Sequence, residues 1–477
     1  MFRFSVIEDE HFIILLQSGK LDEYLDDVIS QFWDLPPNLQ YETIRYIKEK
    51  RIYPSVSAVS SAFGIGEEEG KSLLNNPYKE FLVPVVGEGG GKLVRALAVK
   101  DTKELITNQE HLKDSMRVIS KFLKEGFALF FDTPFSGESY MLPAVLNLYV
   151  ENLPKDLIFT GRIDEEGRVY EVNDIPKKRK LAQKENLRFV EPSHIESVQA
   201  VKEWFDSDRY DIPFYITKTT ENYEGELKSF HSSVTIENVR RVLDLLEILS
   251  GISEKELLMI TGQLPPDQRK WEEIVREFYK RLKRIESALG SKEVIHLAIN
   301  GPAALAFACG TIFGSQKPFV IYHWQDNVYH PIEVKKVRYL KERLRSYSRI
   351  EWKFEEGGKD LVVILSMAHH DPETNAKEFI KGINPSYLVI RHKSSGNVPV
   401  DGMLETAREC ASLIQDIKAK KSFKDFHFFL SSPVVLSFML GVAFGYYSPG
   451  YVYQHRGENI YLRVIDLHRI SEIREGR

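Results

Sequence analysis

Hydrophobic periodicity divides the chain into a helical beginning, a mixed middle and a long alternating end. Residues 21–32 carry apolar side chains every three to four positions, which predicts an amphipathic helix. Residues 80–86 and 92–99 indicate paired strands around a glycine-rich turn. The pattern predicts a helical module over residues 1–77 and an α+β domain over residues 78–205.

A different pattern follows residues 206–230, a polar and aromatic stretch that we interpret as connecting structure. Residues 257–261 and 294–299 read as strands on either side of a long charged helix, residues 271–289. Strands that alternate with helices are typical of a parallel sheet. We therefore expect residues 206–477 to form a third domain of α/β type.

An ungapped internal repeat with an offset of 131 residues lies within this third domain. Nine residue types recur at that offset: His296/His427, Pro302/Pro433, Leu305/Leu436, Phe307/Phe438, Gly310/Gly441, Phe313/Phe444, Gly314/Gly445, Pro318/Pro449 and Tyr322/Tyr453. The repeat predicts two Rossmann-like halves, at about 235–345 and 350–477. Upstream, residues 361–366 are expected to correspond to 257–261, and residues 387–391 to be an insertion.

The carboxyl ends of the predicted strands are candidate ligand sites, because free backbone N–H groups at helix starts bind anions there. These candidates are Thr261, Gly262, Asn300, Gly301, Pro302, Ser366, His369, His370, Ser431 and Ser432. Two facing halves suit a pseudo-symmetric ring with several phosphates. Tyr322 and Trp324 are candidates to stack on adenine, and the alternative for the tyrosine is a place in the sheet core. Arg391 and Lys393 are candidates to bind phosphate, and the alternative is that they are solvated surface charges.

A serine and a lysine in the middle domain form a candidate catalytic pair. Ser136 lies in a Pro-Phe-Ser-Gly turn, and Lys177 lies at a helix start that Asp174 can cap. A serine hydroxyl needs a base, and a lysine can serve only when it is neutral. The positive end of the helix dipole and the basic residues 178–180 both favour neutral Lys177.

The surroundings of this pair resemble the proteolytic domain of Lon proteases. The resemblance rests on Thr-Gly-Arg-Ile at 160–163 and Gly-Arg-Val at 167–169, and it covers residues 78–205. It implies that Ser136 is the nucleophile, Lys177 the general base and Thr160 the hydroxyl that orients the lysine.

Three departures from the Lon pattern leave alternatives at both catalytic positions. Phe135 and Pro176 are additional residues, and Gly137 stands where the family has alanine. Ser139 and Lys178 therefore remain open as alternatives to the favoured pair. Ser136 is favoured over Ser139 because it lies in the turn, ahead of the helix.

A nucleotide-driven unfolding motor is not predicted. The segment 66–72 has one residue too few for a Walker A loop, contains three glutamates and follows no strand. The second Gly-Lys, at residues 91–92, does not fit a Walker A loop either. Val86 stands where the loop needs glycine, and Leu93 stands where it needs serine or threonine. We therefore expect an ATP-independent peptidase whose substrate offers an accessible loop.

The charge distribution argues against binding to duplex DNA. Residues 55–74 have the shape of a helix-turn-helix, but the first 77 residues carry 13 acidic and seven basic side chains. The second of these helices opens with three glutamates, which phosphates would repel. A protein-contact module is the favoured interpretation.

The expected compartment is the cytoplasm, and neither a membrane nor a metal is predicted. The chain has only two cysteines, a secretory leader is not visible, and the most apolar segment, residues 434–447, is shorter than the ~20 residues that span a bilayer. His369 and His370 are adjacent, so their side chains point apart, and they lack a spaced third ligand.

The duplicated pattern resembles the SAVED domain, a fusion of two CARF-like units that senses cyclic oligonucleotides in bacterial antiviral defence, over residues 213–477. Together, the two resemblances point to CRISPR-associated Lon proteases of type III systems. They imply cyclic tetra-adenylate as activator, no other cofactor, self-assembly on the ligand and cleavage of a CalpT-like partner that holds a sigma factor. Slow cleavage of the ring is a possible side activity; the alternative is a sensor with an inactive Lon-like scaffold.

Overall fold

The computed structural model describes residues 3–87, 90–221, 223–233, 239–314, 317–368, 370–394, 398–457 and 460–476. The chain divides into two compact units, Met1–Ser207 and Asp208–Arg477. Among the described helices, none has the length and apolar character needed to cross a membrane.

The first unit begins with short helices that cover one side of a sheet. These helices are α1 Asp9–Gln17, α2 Leu25–Ser30, α3 Pro37–Lys50, α4 Val56–Phe63 and α5 Glu67–Asn75. Ser55 caps α4 by accepting a hydrogen bond from the Ala58 N–H, and Gly64 ends it in the left-handed region. The helix predicted over residues 21–32 is shorter than expected, because a 3₁₀ turn, Asp22–Tyr24, replaces its first part.

The sheet of the first unit has four strands in the order β1-β2-β4-β3. Its elements are β1 Tyr78–Gly87, β2 Gly90–Thr102, β3 Ile106–Thr107, α6 Lys113–Leu123 and β4 Gly126–Phe131. Apolar residues of α1 to α5 share one core with Leu97, Val99 and Phe130 of the sheet. The N-terminal helices and the sheet therefore fold as parts of one hydrophobic core.

The remainder of the first unit follows β4. Its elements are α7 Met141–Tyr149, β5 Leu157–Phe159, β6 Arg162–Ile163, β7 Val169–Tyr170, α8 Ile175–Lys184, β8 Arg188–Val190 and α9 Val198–Asp206. β5 pairs with β8 in parallel, and β6 and β7 form a small antiparallel hairpin. The predicted strand, turn and lysine-bearing helix are therefore present in the predicted order.

The second unit contains two related sheets. The first has the order β10-β9-β11-β12-β13. Its elements are β9 Tyr210–Thr217, α10 Tyr223–Ser233, α11 Val239–Ser250, β10 Leu258–Ile260, α12 Gln268–Leu289, β11 Glu293–Asn300, α13 Ala303–Phe313, β12 Phe319–Gln325 and β13 Val328–Val334. Strands β10, β9, β11 and β12 run parallel, and β13 is antiparallel.

The second sheet has the order β14-β16-β15-β17-β18-β19. Its elements are β14 Ile350–Glu355, β15 Leu361–Ser366, α14 Glu373–Ile380, β16 Ser386–His392, α15 Met403–Lys420, β17 Phe426–Ser431, α16 Val434–Phe444, β18 Gly450–His455, β19 Tyr461–Asp466 and α17 Leu467–Arg474. Apart from the edge strand β14, the strands of the second sheet follow the same order as those of the first sheet. The internal duplication therefore extends over both sheets.

The prediction of connecting structure over residues 206–230 is wrong. β9 lies in the interior of the first sheet and α10 follows it. Pro213 concealed the strand, because proline is disfavoured in the middle of a sheet. Pro213 pairs with β11 on one side of β9. On the other side, the pairing of β10 with β9 covers residues 215–217 and does not include Pro213.

The predicted alignment upstream of the repeat is also wrong. β15 corresponds to β9, because each lies next to the strand that carries the repeated histidine, β17 and β11 respectively. The strand β16 was interpreted as an insertion, yet it occupies the position of β10. The missed strand β9 shifted the alignment by one strand.

The repeated glycines mark a close crossing of two helices. A Cβ on Gly310 of α13 would lie 2.1 Å from the Phe438 carbonyl oxygen, and one on Gly441 of α16 would lie 2.1 Å from the Phe307 carbonyl oxygen. Only residues without a side chain permit this approach. The two halves are therefore joined through α13 and α16 at the glycine pair.

Candidate functional site

A buried lysine and threonine form the centre of the candidate site in the first unit. Thr160 follows β5 directly, and Lys178 lies in the first turn of α8. Lys178 Nζ donates a hydrogen bond of 3.1 Å to Thr160 Oγ1, and the lysine is 4% exposed. Burial lowers the pKa of Lys178 to about 8, against a weaker opposing effect of Asp174. A large fraction of Lys178 is therefore neutral in mildly alkaline solution.

The structure places the other candidate, Lys177, away from Thr160. Its side chain is 69% exposed, and its Nζ pairs with Asp174 Oδ1 at 2.9 Å. Asp174 lies at the start of α8 but makes no side-chain cap hydrogen bond. The preference for Lys177 over Lys178 is corrected on this point, because consecutive helical residues point about 100° apart and only Lys178 faces the buried side.

Ser136 lies in an exposed turn between β4 and α7. The next residue, Gly137, has a φ of 99°, which favours glycine. Among the described residues, Ser136 has no side-chain hydrogen-bond partner. The alternative, Ser139, is 8% exposed and its carbonyl oxygen accepts from the Gly161 N–H at 3.2 Å. Ser136 is therefore the more accessible of the two hydroxyls.

Gln109 and His111 hold the serine-bearing turn in place. Gln109 Nε2 donates to the Thr133 carbonyl oxygen at 2.9 Å, and Gln109 Oε1 accepts from the Phe135 N–H at 3.3 Å. The Phe135 carbonyl oxygen accepts from His111 Nε2 at 2.8 Å. The sequence analysis missed both residues, because they lie more than 20 positions upstream and follow no motif. Both side chains therefore hold the backbone of the turn directly before Ser136.

The additional residue Phe135 anchors the turn through its ring. The ring is buried, with its centroid 5.0 Å from that of Phe131 and 5.9 Å from that of Tyr140. An apolar residue at this position therefore fixes one end of an exposed turn.

A cavity of about 630 Å³ lies beside β1 and β5 in the first unit. Its lining includes Pro143 and Asn147 of α7 and Phe159, the residue before Thr160.

The carboxyl ends of the first sheet in the second unit meet at Glu226 of α10. Its carboxylate accepts hydrogen bonds from Tyr215, Thr217 and Thr219, at 2.8 to 2.9 Å. Asn300 Nδ2 lies within 3.5 Å of the same carboxylate. These bonds outweigh desolvation and hold the pKa of Glu226 below its usual value. The sequence analysis missed Glu226, because it lies in the stretch interpreted as connecting structure.

The carboxyl ends of the second sheet carry an arginine that is paired with two carboxylates. Arg391 Nη2 binds Asp371 at 2.8 Å and Glu373 at 2.5 Å. Ser431 Oγ donates to the His370 carbonyl oxygen at 2.5 Å, and the His370 ring stacks on His455 with centroids 4.6 Å apart. Two candidates from the sequence, Ser431 and His370, are therefore in direct contact here.

The carboxyl edges of the two sheets are joined by Arg456. Its Nη2 donates to the Leu264 carbonyl oxygen at 2.8 Å, which links the loop after β18 to the loop after β10. Thr261, a candidate in the latter loop, donates from its N–H to the Thr217 carbonyl oxygen at 2.8 Å. One hydrogen bond therefore connects the loops at the carboxyl ends of the two sheets.

The remaining candidates lie at several kinds of position. Gly262 has a φ of 61°, Gly301 and Pro302 precede α13, and Ser366 ends β15. Ser432 Oγ lies 2.6 Å from Ser437 Oγ, and Lys393 Nζ donates to the Tyr347 carbonyl oxygen. Trp324 is 47% exposed on the β12–β13 hairpin. His369 lies outside the described residues.

Tyr322 is a core residue, not an exposed stacking surface. Its hydroxyl lies 2.7 Å from His296 Nδ1, and the tyrosine is 3% exposed. The equivalent pair in the second half, His427 and Tyr453, has the same bond at 2.9 Å. The repeated histidine and tyrosine are therefore explained by one buried contact in each sheet, and the stacking prediction for Tyr322 is wrong.

No group of three or more histidine, cysteine or acidic side chains that could hold a metal occurs in the described parts of the chain. Cys309 and Cys410 are buried free thiols, and burial raises the pKa of both. Neither thiol is presented as a nucleophile.

Comparison with known families identifies the sensor region. Residues 247–333 and 340–467 match the model of SAVED, the SMODS-associated and fused to various effectors sensor domain. The second unit therefore carries a SAVED domain, which confirms that part of the sequence analysis. The resemblance of residues 78–205 to Lon proteases stays a prediction. No curated protein matches the chain.

Three similar solved structures are Cap4 SAVED/CARF-domain containing receptors. The Acinetobacter baumannii receptor with the cyclic trinucleotide 2′3′3′-cAAA is 12% identical over 55% of this chain and 51% of that chain, with a TM-score of 0.36. The same receptor with 3′3′3′-cAAA is 10% identical over 97% of this chain and 86% of that chain, with a TM-score of 0.36. The Moraxella osloensis receptor is 11% identical over 61% of this chain and 65% of that chain, with a TM-score of 0.34. The first alignment spans about half the receptor's length.

Proposed function

We propose that this chain is an ATP-independent Ser–Lys endopeptidase that a cyclic oligonucleotide switches on through the SAVED domain. The activator is a cyclic oligoadenylate, with cyclic tetra-adenylate as the first candidate, and the setting is type III CRISPR antiviral signalling in the cytoplasm. The observation that carries the peptidase is the buried hydrogen bond between Lys178 and Thr160. In the described part of the chain, no carboxylate is hydrogen-bonded to Lys178. A lysine that is desolvated beside a hydroxyl suits a general base.

The peptidase mechanism uses the turn and the buried pair. Ser136 Oγ attacks the scissile carbonyl carbon while neutral Lys178 takes the hydroxyl proton. The tetrahedral intermediate collapses, Lys178 returns the proton to the leaving amine, and water then hydrolyses the acyl-serine by the same route. The N–H groups of Ser136 and Gly137 stabilise the oxyanion, a role worth about 3 kcal/mol per donor. Thr160 acts on Lys178 and is a positioning residue.

The activity is expected to rise with pH, with an apparent pKa near 8. The reason is that Lys178 has its pKa lowered to about 8 by burial, and only its neutral form accepts a proton. Below that pH the rate falls about tenfold per unit. The measurement is kcat/KM for a cleavable peptide from pH 6 to 10 with the activator present. A flat profile across this range would contradict a titrating Lys178.

The sensor site is proposed at the carboxyl ends of both sheets. The hydroxyls of Thr217 and Thr219 donate to Glu226, whereas the second sheet carries Arg391, which is paired with Asp371 and Glu373, and the His370–His455 stack. The two halves therefore offer unequal surfaces. We propose that the ring lies asymmetrically, with its phosphates closer to the second sheet.

Binding of cyclic tetra-adenylate with growth in particle mass is the expected result for the full chain. Calorimetric titration measures the binding, and light scattering on the same samples measures assembly. Replacing Arg391 with glutamine should weaken binding roughly tenfold or more, since a charge-assisted hydrogen bond contributes about 1.5–3 kcal/mol. Wild-type protein that neither binds this ring nor gains mass would argue against the proposed activator.

Slow cleavage of the bound ring is a second candidate activity. His370 and His455 stack beside the proposed site, and burial and the neighbouring His370 lower the pKa of His455. A neutral His455 can take the proton of a ribose 2′-OH while the 2′-oxygen attacks the adjacent phosphorus. The bond from phosphorus to the 5′-oxygen breaks, and the products are a 2′,3′-cyclic phosphate and a 5′-hydroxyl that takes up a proton from water. Chromatography after prolonged incubation should show linear product with wild type and less with His455→Phe. Intact ring in both samples would contradict this activity.

The proposed substrate is a CalpT-like partner that holds a sigma factor. A chain without a predicted unfolding motor needs a cleavage site in an accessible loop, and cleavage would release the bound factor. The alternative is a sensor with an inactive Lon-like domain. A serine-reactive probe that labels the activated wild type, but not Ser136→Ala, distinguishes the two.

A further inference from the structure

We propose that a cavity between α15, α16 and the 3₁₀ segment Val337–Lys341 is a binding site for a small phosphate-bearing anion. The cavity has a volume of about 200 Å³ and lies in the second unit. Lys341 and Lys418 line it, together with the apolar side chains of Ile414, Leu440 and Phe444. This site is separate from the carboxyl edges of the sheets, and the inference is independent of the function proposed above.

The two lysines place positive charge in an apolar cavity. Burial lowers the pKa of both, and the charge of Lys341 contributes to the lowering at Lys418. Lys418 Nζ donates to Ser448 Oγ at 2.7 Å and lies 5.0 Å from the centre of the Phe444 ring. Within the described ranges, neither lysine pairs with a carboxylate, and Lys341 Nζ has no hydrogen-bond partner.

The equivalent place in the first half shows how such charge is balanced there. Phe313 corresponds to Phe444, and Lys317 corresponds to Ser448, at the offset of 131. Lys317 pairs with Glu293 and, at 3.0 Å, with Glu286. The cavity there is about 50 Å³. In the first half, Lys317 is therefore paired with two carboxylates, whereas within the described ranges the two lysines of the second half line a cavity without such a partner.

The C-terminal end of α16 does not supply the missing negative charge. A helix C-terminus is equivalent to about half a negative charge, and Lys341 Nζ would lie 3.9 Å from a Cβ built on Gly445, just beyond this end. More than one positive charge therefore remains when both lysines are protonated.

A phosphate group fits the donors that are present. The two ammonium groups that line the cavity can each donate to a phosphate oxygen, and such charge-assisted bonds are strong in an apolar setting. The cavity is smaller than the ~300–1,000 Å³ typical of drug-sized ligands. The ligand is therefore inorganic phosphate or the phosphate of a small phosphorylated molecule such as a mononucleotide, not a cyclic tetra-adenylate.

The test titrates the full chain with inorganic phosphate, and separately with adenosine monophosphate, in a chloride buffer of constant ionic strength. Calorimetry measures affinity, and thermal unfolding measures stabilisation. Wild type should bind phosphate and gain in Tm. Lys341→Met and Lys418→Met should each weaken binding roughly tenfold to a hundredfold. Without phosphate, Lys341→Met should unfold at the same or a higher temperature than wild type, because a half-buried charge that repels Lys418 is gone.

A matched control is Lys424→Met, which removes one positive charge from an exposed position in the same unit. It should keep wild-type phosphate binding. Lysine-dependent binding of both ligands identifies the phosphate group as the feature recognised, and tighter binding of the mononucleotide identifies a nucleotide as the source. Binding that is absent in wild type, or unchanged in both lysine variants, overturns the site. A lower Tm for Lys341→Met without phosphate shows a structural lysine and overturns it too.

Discussion

Replacing Lys178 with methionine is expected to reduce activator-dependent peptide cleavage by about 10²–10⁴-fold, the usual contribution of a general base. Methionine has a similar length and is apolar, so it suits a position that is 4% exposed. The loss therefore reflects the missing base and not a cavity. Labelling of Ser136 by a serine-reactive probe should fall in parallel, because the same lysine activates the hydroxyl. The measurements are kcat/KM and the rate of probe labelling, with circular dichroism to show an intact fold.

Lys177→Met is the matched control, since it changes the adjacent residue in the same helix turn. Lys177 is 69% exposed and pairs with Asp174, so its loss should leave cleavage within about twofold of wild type, as is usual for an exposed ion pair. Strong inactivation by Lys177→Met together with an active Lys178→Met would reverse the assignment of the base.

The contrast between these lysines shows what the sequence could and could not predict about the site. Residue types and spacing placed a serine turn, a threonine at a strand end and lysines at a helix start. They did not fix the rotation of α8, because Pro176 shifts the register by one residue relative to the Lon pattern. A one-residue shift turns a helix by about 100°, which exchanges the buried and exposed faces.

Contacts between distant segments could not be predicted from the sequence for a related reason. Gln109 and His111 reach the Ser136 turn from the loop before α6. Glu226 reaches the ends of β9 and β11 from a helix that had not been predicted. Polar side chains with one specific partner leave no periodic signal, and only the fold brings these partners together.

The fold was predictable where the duplication preserved residue types and less so where it did not. Identities at one offset located β11, α13 and β12 and their counterparts in the second half. β9 was missed because Pro213 argued against a strand, and that omission misaligned β15 and β16. The repeated glycines were visible in the sequence, but their role became clear only from the helix crossing.

Replacing Gly441 with alanine is expected to destabilise the second unit by about 3 kcal/mol or more, at the upper end of the range for overpacking. The new methyl group would lie 2.1 Å from the Phe307 carbonyl oxygen, which belongs to helix backbone and cannot rotate away. The helices α13 and α16 must separate, and the contacts around the crossing are lost with them. Gly310→Ala should behave alike, because its methyl group would meet the Phe438 carbonyl oxygen at the same distance. Thermal and urea unfolding measure the loss.

Gly225→Ala provides the control for this last prediction, because Gly225 lies within α10 and a Cβ there would meet nothing within 4 Å. Alanine in an unobstructed helix stabilises by about 0.5–1 kcal/mol relative to glycine. Replacing glycine with alanine is therefore expected to lower the stability at Gly441 and to raise it at Gly225, although both glycines lie in helices of one unit. Because the glycine pair joins the two halves, Gly441→Ala should also weaken binding of the cyclic activator, while Gly225→Ala should not. Equal stability of the two variants would show that α13 and α16 do not depend on this close approach.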